Sequence, residues 1–342
     1  MNGSNGRRGA ARSSAEVDDP LGVMNRAAAL TEHGDPLCCR TEWQLSYLEA
    51  FTPDAKPLFR ESSDSMVAFV DSSFPDGTRI LLPLDQSWLY GAPLLGPDAV
   101  ELLLELLAEP AMRESPPTLW LSGLTPDGER QRQLVSALRR THSLHGIKSP
   151  PSPMQCSASL EGGYEGYLSR RSGHFRRRLR SAERKGLDSG VQFERCAPTS
   201  ATHARATFAR MVAVEQQSWK GLSSCGMEQP ESRAFYERML VRLAQIGAGR
   251  VMFARHGGED IGYIFGGYAN GAYRGQQFSF LDTWRSYSIG NLLQQEQLRW
   301  LCEEGAERYD MGPMMEYKAH WTEQQSRMDS WLVRPRALRP RT

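Results

Sequence analysis

Apolar and polar positions along the chain switch between two periods, and each switch marks an element. TEWQLSYLEAF, opened by Thr41, spaces Trp43, Leu45, Tyr47, Leu48 and Phe51 as a short helix capped by that threonine. MVAFV (66–70) and RILLPL (79–84) read as strands. The Pro-Asp-Gly between them predicts a hairpin, because Gly77 supplies a positive φ without a steric cost. Pro97 to Leu107 is helical, TLWLSGL is a strand and GERQRQLVSALRRT is an amphipathic helix. KSPPSP at 148–153 leaves no room for a helix or a central strand, so the domain boundary is expected there.

Beyond it, SASLE begins a strand, 163–171 is a short helix and His174 to Lys185 is a strongly basic helix ended by Gly186. The strand VQFERC leads to two long helices, roughly 201–220 and 231–246. GRVMFARH, IGYIFGGYA and AYRGQQFSFLD follow as a meander joined by GGED and Asn-Gly turns. The third of these strands meets a loop, Thr283 to Ser288, that opens a helix from Ile289 to Glu303, and the short strand RYDMG comes next. Helices packed on a mainly antiparallel meander make an α+β fold. A length of 342 residues suits two domains, 21–148 and 149–342, behind a Gly-, Ser- and Arg-rich tail over 1–20.

Lys plus Arg total 41 against 40 Asp plus Glu, which excludes a surface that is basic all over. The longest apolar stretch, AVELLLELLA at 99–108, is too short and too acidic to cross a bilayer, so no membrane insertion is expected. No apolar run follows Arg7 and Arg8, which argues against a signal peptide and makes the cytoplasm the expected location. The six cysteines form no C-x-x-C pair and have no zinc-type histidine spacing, so no metal site is expected and the thiols read as reduced. Cys225, between Ser224 and Gly226, is the thiol with a loop-like setting, and it too reads as inert.

Charge is concentrated locally. The basic helix carries Arg176, Arg177, Arg178, Arg180, Arg184 and Lys185 against one acid, Glu183. Arg177, Arg180 and Arg184 share a face. That face is either solvated or matched to an anion such as CoA phosphates, an acidic carrier protein or tRNA. A second anion site is predicted where FSFLD ends and the helix begins: Arg285, Ser288, Ile289, Gly290 and Asn291 surround the unpaired N–H groups and positive dipole of a helix N-terminus. A plainly capped helix start is the alternative.

The Arg-x-x-Ser-x-Gly of that loop resembles the acyl-CoA pyrophosphate loop of the GNAT acyltransferases, Gln/Arg-x-x-Gly-x-Gly/Ala, with Ser288 replacing the first glycine. YEGYLSRRSGHFRRRLRSAERKG (164–186), EQQSWKG (215–221) and YDMGPMMEYKAHW (309–321) extend the resemblance. Over about 160–325 the chain resembles the acetyltransferase domain of bacterial CelD-like, cellulose-biosynthesis-associated GNAT proteins, itself similar to the Fem-type aminoacyltransferases. The resemblance implies a GNAT fold, with two GNAT-like lobes of which the N-terminal one is degenerate. It also implies an acyl-CoA or acyl-carrier thioester as co-substrate, no permanently bound cofactor, and direct attack by a small-molecule amine.

Within that frame Glu215 is the candidate base for the attacking amine, its alternative being a surface pair with Lys220 or Arg210. Trp219 and Lys220 are candidate substrate contacts, Trp219 being equally a packing residue. Tyr317 could protonate the leaving thiolate, and Lys318 could bind a donor phosphate or offset charge on the tetrahedral intermediate. Asp282 and Asp310 end strands on either side of the donor-loop helix, as an acceptor pocket would need and as ordinary turn acids also do. His174, His203, His256 and His320 have no triad spacing and no G-x-S-x-G occurs, which disfavours a covalent serine route. Two other functions stay open: an aminoacyl-tRNA-dependent Fem-type transferase, with RNA on the basic helix, and a non-catalytic binding protein on the same fold.

Overall fold

The computed structural model describes residues 20–31, 35–147, 154–223 and 225–336. The expected tail lies outside them except for Pro20, where the first helix begins, and so does the expected boundary at 148–153. The first half runs α1 (Pro20–Ala29), α2 (Thr41–Phe51), β1 (Pro57–Glu61), β2 (Met66–Ser73), β3 (Arg79–Pro83), β4 (Leu94–Leu95), α3 (Ala99–Ala108), α4 (Pro110–Glu114), β5 (Thr118–Leu124), α5 (Glu129–Leu138) and β6 (His142–Gly146). The second half opens with β7 (Met154–Ser159), α6 (Gly163–Ser169), α7 (Gly173–Asp188), β8 (Gln192–Cys196), α8 (Ala201–Gln216), α9 (Trp219–Leu222) and α10 (Pro230–Gln245). It continues with β9 (Gly249–His256), β10 (Glu259–Ala269), β11 (Ala272–Phe280), α11 (Ile289–Glu303), β12 (Arg308–Pro313), β13 (Gln324–Arg327) and β14 (Asp329–Pro335).

Two seven-stranded sheets result. One has the order β1-β2-β3-β5-β14-β6 with β4 on β2, and the other β13-β7-β12-β11-β10-β9-β8. The two lobes repeat one plan: β3, α3 and β5 in the first and β11, α11 and β12 in the second are each a strand, a helix and a parallel strand. The chain does not divide cleanly after β6, because β14 returns to the first sheet, antiparallel to β5 and β6. The second half as expected over 149–342 therefore lends its last strand to the first lobe. The lobes also share a core. Trp43 and Tyr47 of α2 pack with Phe235 and Met239 of α10, and Arg242 donates to Ser46 (3.0 Å) and pairs with Glu49.

Three local expectations are corrected. The helix at Thr41 is not capped by its own threonine; Asn25 of α1 accepts from the Thr41 N–H (2.9 Å) and its hydroxyl (3.2 Å). Gly186 does not end α7. It lies inside the helix, where a Cβ would come within 2.7 Å of Leu292, so the glycine lets α7 approach α11 closely. The helix expected over 201–220 breaks at Gln217, and the Ser218 side chain caps the short α9 instead. Among the described residues no helix is long and apolar enough to cross a membrane.

Candidate functional site

β11 and β12 pair in parallel over only three positions, Ala272–Arg308, Tyr273–Tyr309 and Arg274–Asp310. Past them the strands diverge and open a fork in the middle of the sheet. Its cavity of about 50 Å³ is lined by Gln276, Phe278, Gln294, Tyr309, Tyr317 and Lys318, among others. β11 itself carries an irregularity at this point. Phe265 of β10 opposes Gln277 and Gly266 opposes Gly275, so Gln276 is an extra, bulged residue. Its Nε2 is buried and has no hydrogen-bond partner among the described residues.

The bulge has a consequence for the backbone beyond it. Leu281 N–H donates to Ile261 (2.9 Å), which fixes the alternation of an antiparallel pair. Ser279 and Gln277 then face β10, whereas Phe278 and Phe280 turn their peptide groups towards the fork. The Phe278 carbonyl is met there by Lys220 Nζ (2.9 Å), which also donates to Gln277 Oε1 (2.6 Å). Burial lowers the Lys220 pKa, partly opposed by Glu215.

Glu215 is completely buried behind this lysine. It accepts from Tyr263 Oη (2.7 Å) and Met227 N–H (3.3 Å) and lies 3.9 Å from Lys220 Nζ. It pairs with Lys220 as one sequence reading allowed, but inside the protein rather than on its surface, and Arg210 instead binds Glu194 and Asp260. Tyr317 stands at the mouth of the fork, 40 % exposed, with its ring 6.0 Å from Phe278. Burial pushes its phenol up to about 12, so it is protonated at neutral pH. Lys318 lines the same cavity but donates to the Met311 (2.7 Å) and Pro313 (2.8 Å) carbonyls, which ties it to the wall of the fork. Burial, with Arg274 nearby, brings its pKa down to about 8.

The donor-loop candidates sit at the N-terminus of α11. Asn291 and Leu292 N–H turn back to the Ser288 carbonyl (2.9 and 3.1 Å), leaving those of Ile289 and Gly290 to face outward from the first turn. Ser288 takes a left-handed conformation at φ 59°, one a glycine adopts freely. The Ile289 side chain is core. A Cβ on Gly290 would stand 3.1 Å from Phe278 and 3.2 Å from Phe280, so this glycine serves packing under the loop as well as access to it. Arg285 projects into solvent with a 3.6 Å contact to Asp282. Asp282 lies on that outer side of the loop and does not line the fork, whereas Asp310 is buried at the fork's root. Trp219 is about half exposed on α9.

α7 flanks the loop: Lys185 donates to the Ser286 carbonyl (2.6 Å) and covers the Tyr287 ring. Ser172 caps the helix, and Glu183 turns inward to Arg299 (2.8 Å) and Gln295. Arg177, Arg180 and Arg184 stay exposed, in no ion pair among the described residues. Gln276, Phe278, Gln294 and Tyr309 went unnoticed in the sequence. One signal was present: two adjacent glutamines, 276 and 277, break the alternation of an otherwise regular strand.

Residues 173–319, which hold α7, the fork, the donor loop and Lys318, match the acetyltransferase (GNAT) domain family. No curated protein matches the chain by sequence. Among solved structures, FemX is similar at 13% identity over 92% of this chain and 96% of its own, with a TM-score of 0.61. A conserved protein of unknown function from Bacteroides thetaiotaomicron is similar at 11% identity over 93% and 98%, TM-score 0.60. L-PGS from Bacillus licheniformis follows at 14% identity over 95% and 94%, TM-score 0.55. At such identities the likeness is one of fold, and it spans both lobes. The chain is thus a two-lobed protein carrying a GNAT acetyltransferase domain, an enzyme of the acyltransferase class.

Proposed function

For a chain with a GNAT acetyltransferase domain over 173–319, we propose that the reaction is N-acyl transfer from an acyl thioester, on CoA or a carrier protein, to an amine bound at the β11/β12 fork. The observation that carries this reading is the opening of a parallel strand pair beside the N-terminus of α11. The donor phosphates lie on the Ile289 and Gly290 N–H groups beside Arg285. The thioester arm runs into the fork, where the Phe278 N–H and Gln276 Nε2 receive its carbonyl oxygen.

Lys220 is the proton acceptor in this reading. A neutral lysine has two N–H donors, which Gln277 and Phe278 occupy, so its lone pair is free for the amine. The amine nitrogen attacks the carbonyl carbon, its proton passes to Lys220, the C–S bond breaks, and the thiolate takes the Tyr317 phenol proton. Exchange with water restores both side chains. Glu215 acts through Lys220 as a positioning residue, Lys318 supplies positive charge at the fork wall, and Trp219 borders the acceptor side. The finer kinship with the CelD-like type belongs to this proposal and rests on the four motifs. The acceptor is a small-molecule amine.

A second reading, aminoacyl transfer from tRNA, is favoured by one observation, the exposed arginines of α7 beside the donor loop. A thermal-shift panel of acetyl-CoA, an acylated carrier protein and an aminoacyl-tRNA tests both. The true donor at a hundred times its Kd adds about 2.7 kcal/mol, and Arg285→Glu weakens that gain without unfolding the chain. Stabilisation by none of the three overturns acyl transfer.

A further inference from the structure

Arg274 is the last residue of β11 to pair with β12, and its side chain fills the root of the fork. The guanidinium donates to the adjacent Gly275 carbonyl (2.6 Å) on one strand and presses on Gly312 of the other. A Cβ at Gly312 would stand 2.7 Å from its Cζ and Nη2, so only a glycine leaves room for it. Gly312 holds a positive φ of 71°, and its N–H is fixed by Asp310 Oδ1 (2.8 Å). The arginine is therefore wedged between the strands where they part.

The charge that balances this wedge comes from the other lobe. Asp35 Oδ2 accepts from Arg274 Nε at 2.8 Å, closer than Asp310 at 3.8 Å. Asp35 is completely buried and held by the Cys38 N–H (3.3 Å), in the turn that precedes α2. Tyr90, also of the first lobe, places its ring 5.7 Å from the guanidinium. Asp35 and Arg274 are 239 residues apart in the chain.

We infer that Arg274 is a positioning residue that holds the fork open, and that the first lobe is a working part of the transferase site because Asp35 and Tyr90 hold that arginine in place. The inference rests on the fork being the donor cleft. Without the wedge, β11 and β12 continue their parallel pairing past Arg274 and Asp310, and the peptide groups of Phe278 and Phe280 are lost to the donor.

The test uses the full chain with Asp35→Asn and Arg274→Met together, which removes both charges of the pair and keeps side chains of similar reach. CoA is the probe, read by calorimetry, and hydrogen exchange of the ligand-free protein reads the fork directly. CoA affinity is expected to fall at least tenfold while the melting temperature stays within a few degrees, and amides over 276–280 are expected to exchange more slowly as the strands zip. A folded double variant with wild-type CoA affinity and unchanged exchange overturns the inference. Tyr90→Leu leaves both charges in place and produces a smaller effect of the same sign. If the double variant does not fold, wild-type behaviour of Tyr90→Leu in both measurements overturns the inference instead. Failure of the wild type to bind CoA overturns the thioester reading alone, because the exchange arm needs no ligand.

Discussion

The two lobes each contain a parallel pair that separates, and they differ in what fills the gap. In the first lobe β3 and β5 pair only at Ile80–Thr118 and Leu81–Leu119. The loop after β3 then turns back into the opening. Ser122 of β5 donates to the Gly91 carbonyl (2.6 Å), and a Cβ on Gly123 would stand 3.1 Å from Ala92, so this fork is packed with backbone. Asp85 organises the plug: completely buried, it accepts from Trp43 Nε1 (3.1 Å), Trp88 N–H (2.9 Å) and Tyr90 N–H (3.3 Å). In the second lobe the corresponding segment after β11 stays outside as the donor loop, and the fork holds a cavity. One architecture thus gives an open cavity or a packed core, depending on where the residues after one strand are laid. The plugged lobe is not idle, since Tyr90 of its plug reaches Arg274.

The largest effect is expected from making the second fork resemble the first. Gly275 lines the cavity and a Cβ there meets only ordinary contacts at 3.6 Å, so Gly275→Leu fills the cleft without a backbone clash. Turnover with acetyl-CoA should fall by about 10³ or more, with stability within about 1 kcal/mol of wild type, as read by steady-state rates and thermal melts. Normal turnover in the Gly275→Leu protein would place the donor elsewhere.

Next in size is the lysine at the fork. Lys220→Met should lower kcat by about 10²–10³ with donor KM nearly unchanged. Glu215→Gln should lower it less, about tenfold, and carries a signed pH effect. Glu215 raises the Lys220 pKa against the lowering due to burial, so its neutralisation lowers that pKa further. Because the neutral lysine is the active form, the acid limb of the kcat profile should move to lower pH. An acid limb that stays in place would remove Lys220 from proton transfer.

The converse variant opens the first fork. Asp85→Ala orphans three buried donors and should cost about 3 kcal/mol in denaturant unfolding, with the loss in turnover limited to what displacement of Tyr90 produces. Burial raises the Asp85 pKa, and those three donors oppose that rise by favouring the carboxylate.

Legibility in the sequence follows the same division. Elements with a clear period were read in place: α2, the β2–β3 hairpin with Gly77 at φ 82°, the meander β9 to β11, and α11 with β12 after it. The loop before α11 and the places of Tyr317 and Lys318 at the fork were legible because their motifs are local. The plug was not, because 84–98 has turn-like composition and only its fit against β5 gives it a role. β14 was missed because its partners lie some two hundred residues earlier. The depth of Glu215 was not legible: the helix pattern does not reveal that Gly226, where a Cβ would collide with the Glu215 side chain, folds over it. The Asp35–Arg274 pair was invisible for the same reason as β14.

The smallest expected effect separates the two donor readings through the one feature of the second lobe that has no counterpart of such charge density in the first. α7 presents Arg177, Arg180 and Arg184 to solvent with Glu183 turned away, on the helix that meets the loop proposed to receive the donor phosphates. A tRNA bound along that face would release counterions from many phosphates, so log affinity would fall by roughly 0.7–0.9 per phosphate contact for each unit of log salt. CoA carries only a few phosphates. With a thioester donor, Arg177→Ala/Arg180→Ala/Arg184→Ala should weaken CoA binding by less than about tenfold and leave a shallow salt slope, since α7 meets the loop through Lys185 and the whole chain has a net charge of only +1. With an aminoacyl-tRNA donor the same variant should lose nearly all activity at physiological salt. Affinity measured from about 50 to 200 mM salt on wild type and variant decides between them. A steep slope joined to product formation that requires aminoacyl-tRNA would transfer the fork chemistry to an ester donor, whose leaving group takes a proton as a hydroxyl rather than a thiol, while leaving the contrast between the open and the plugged fork intact.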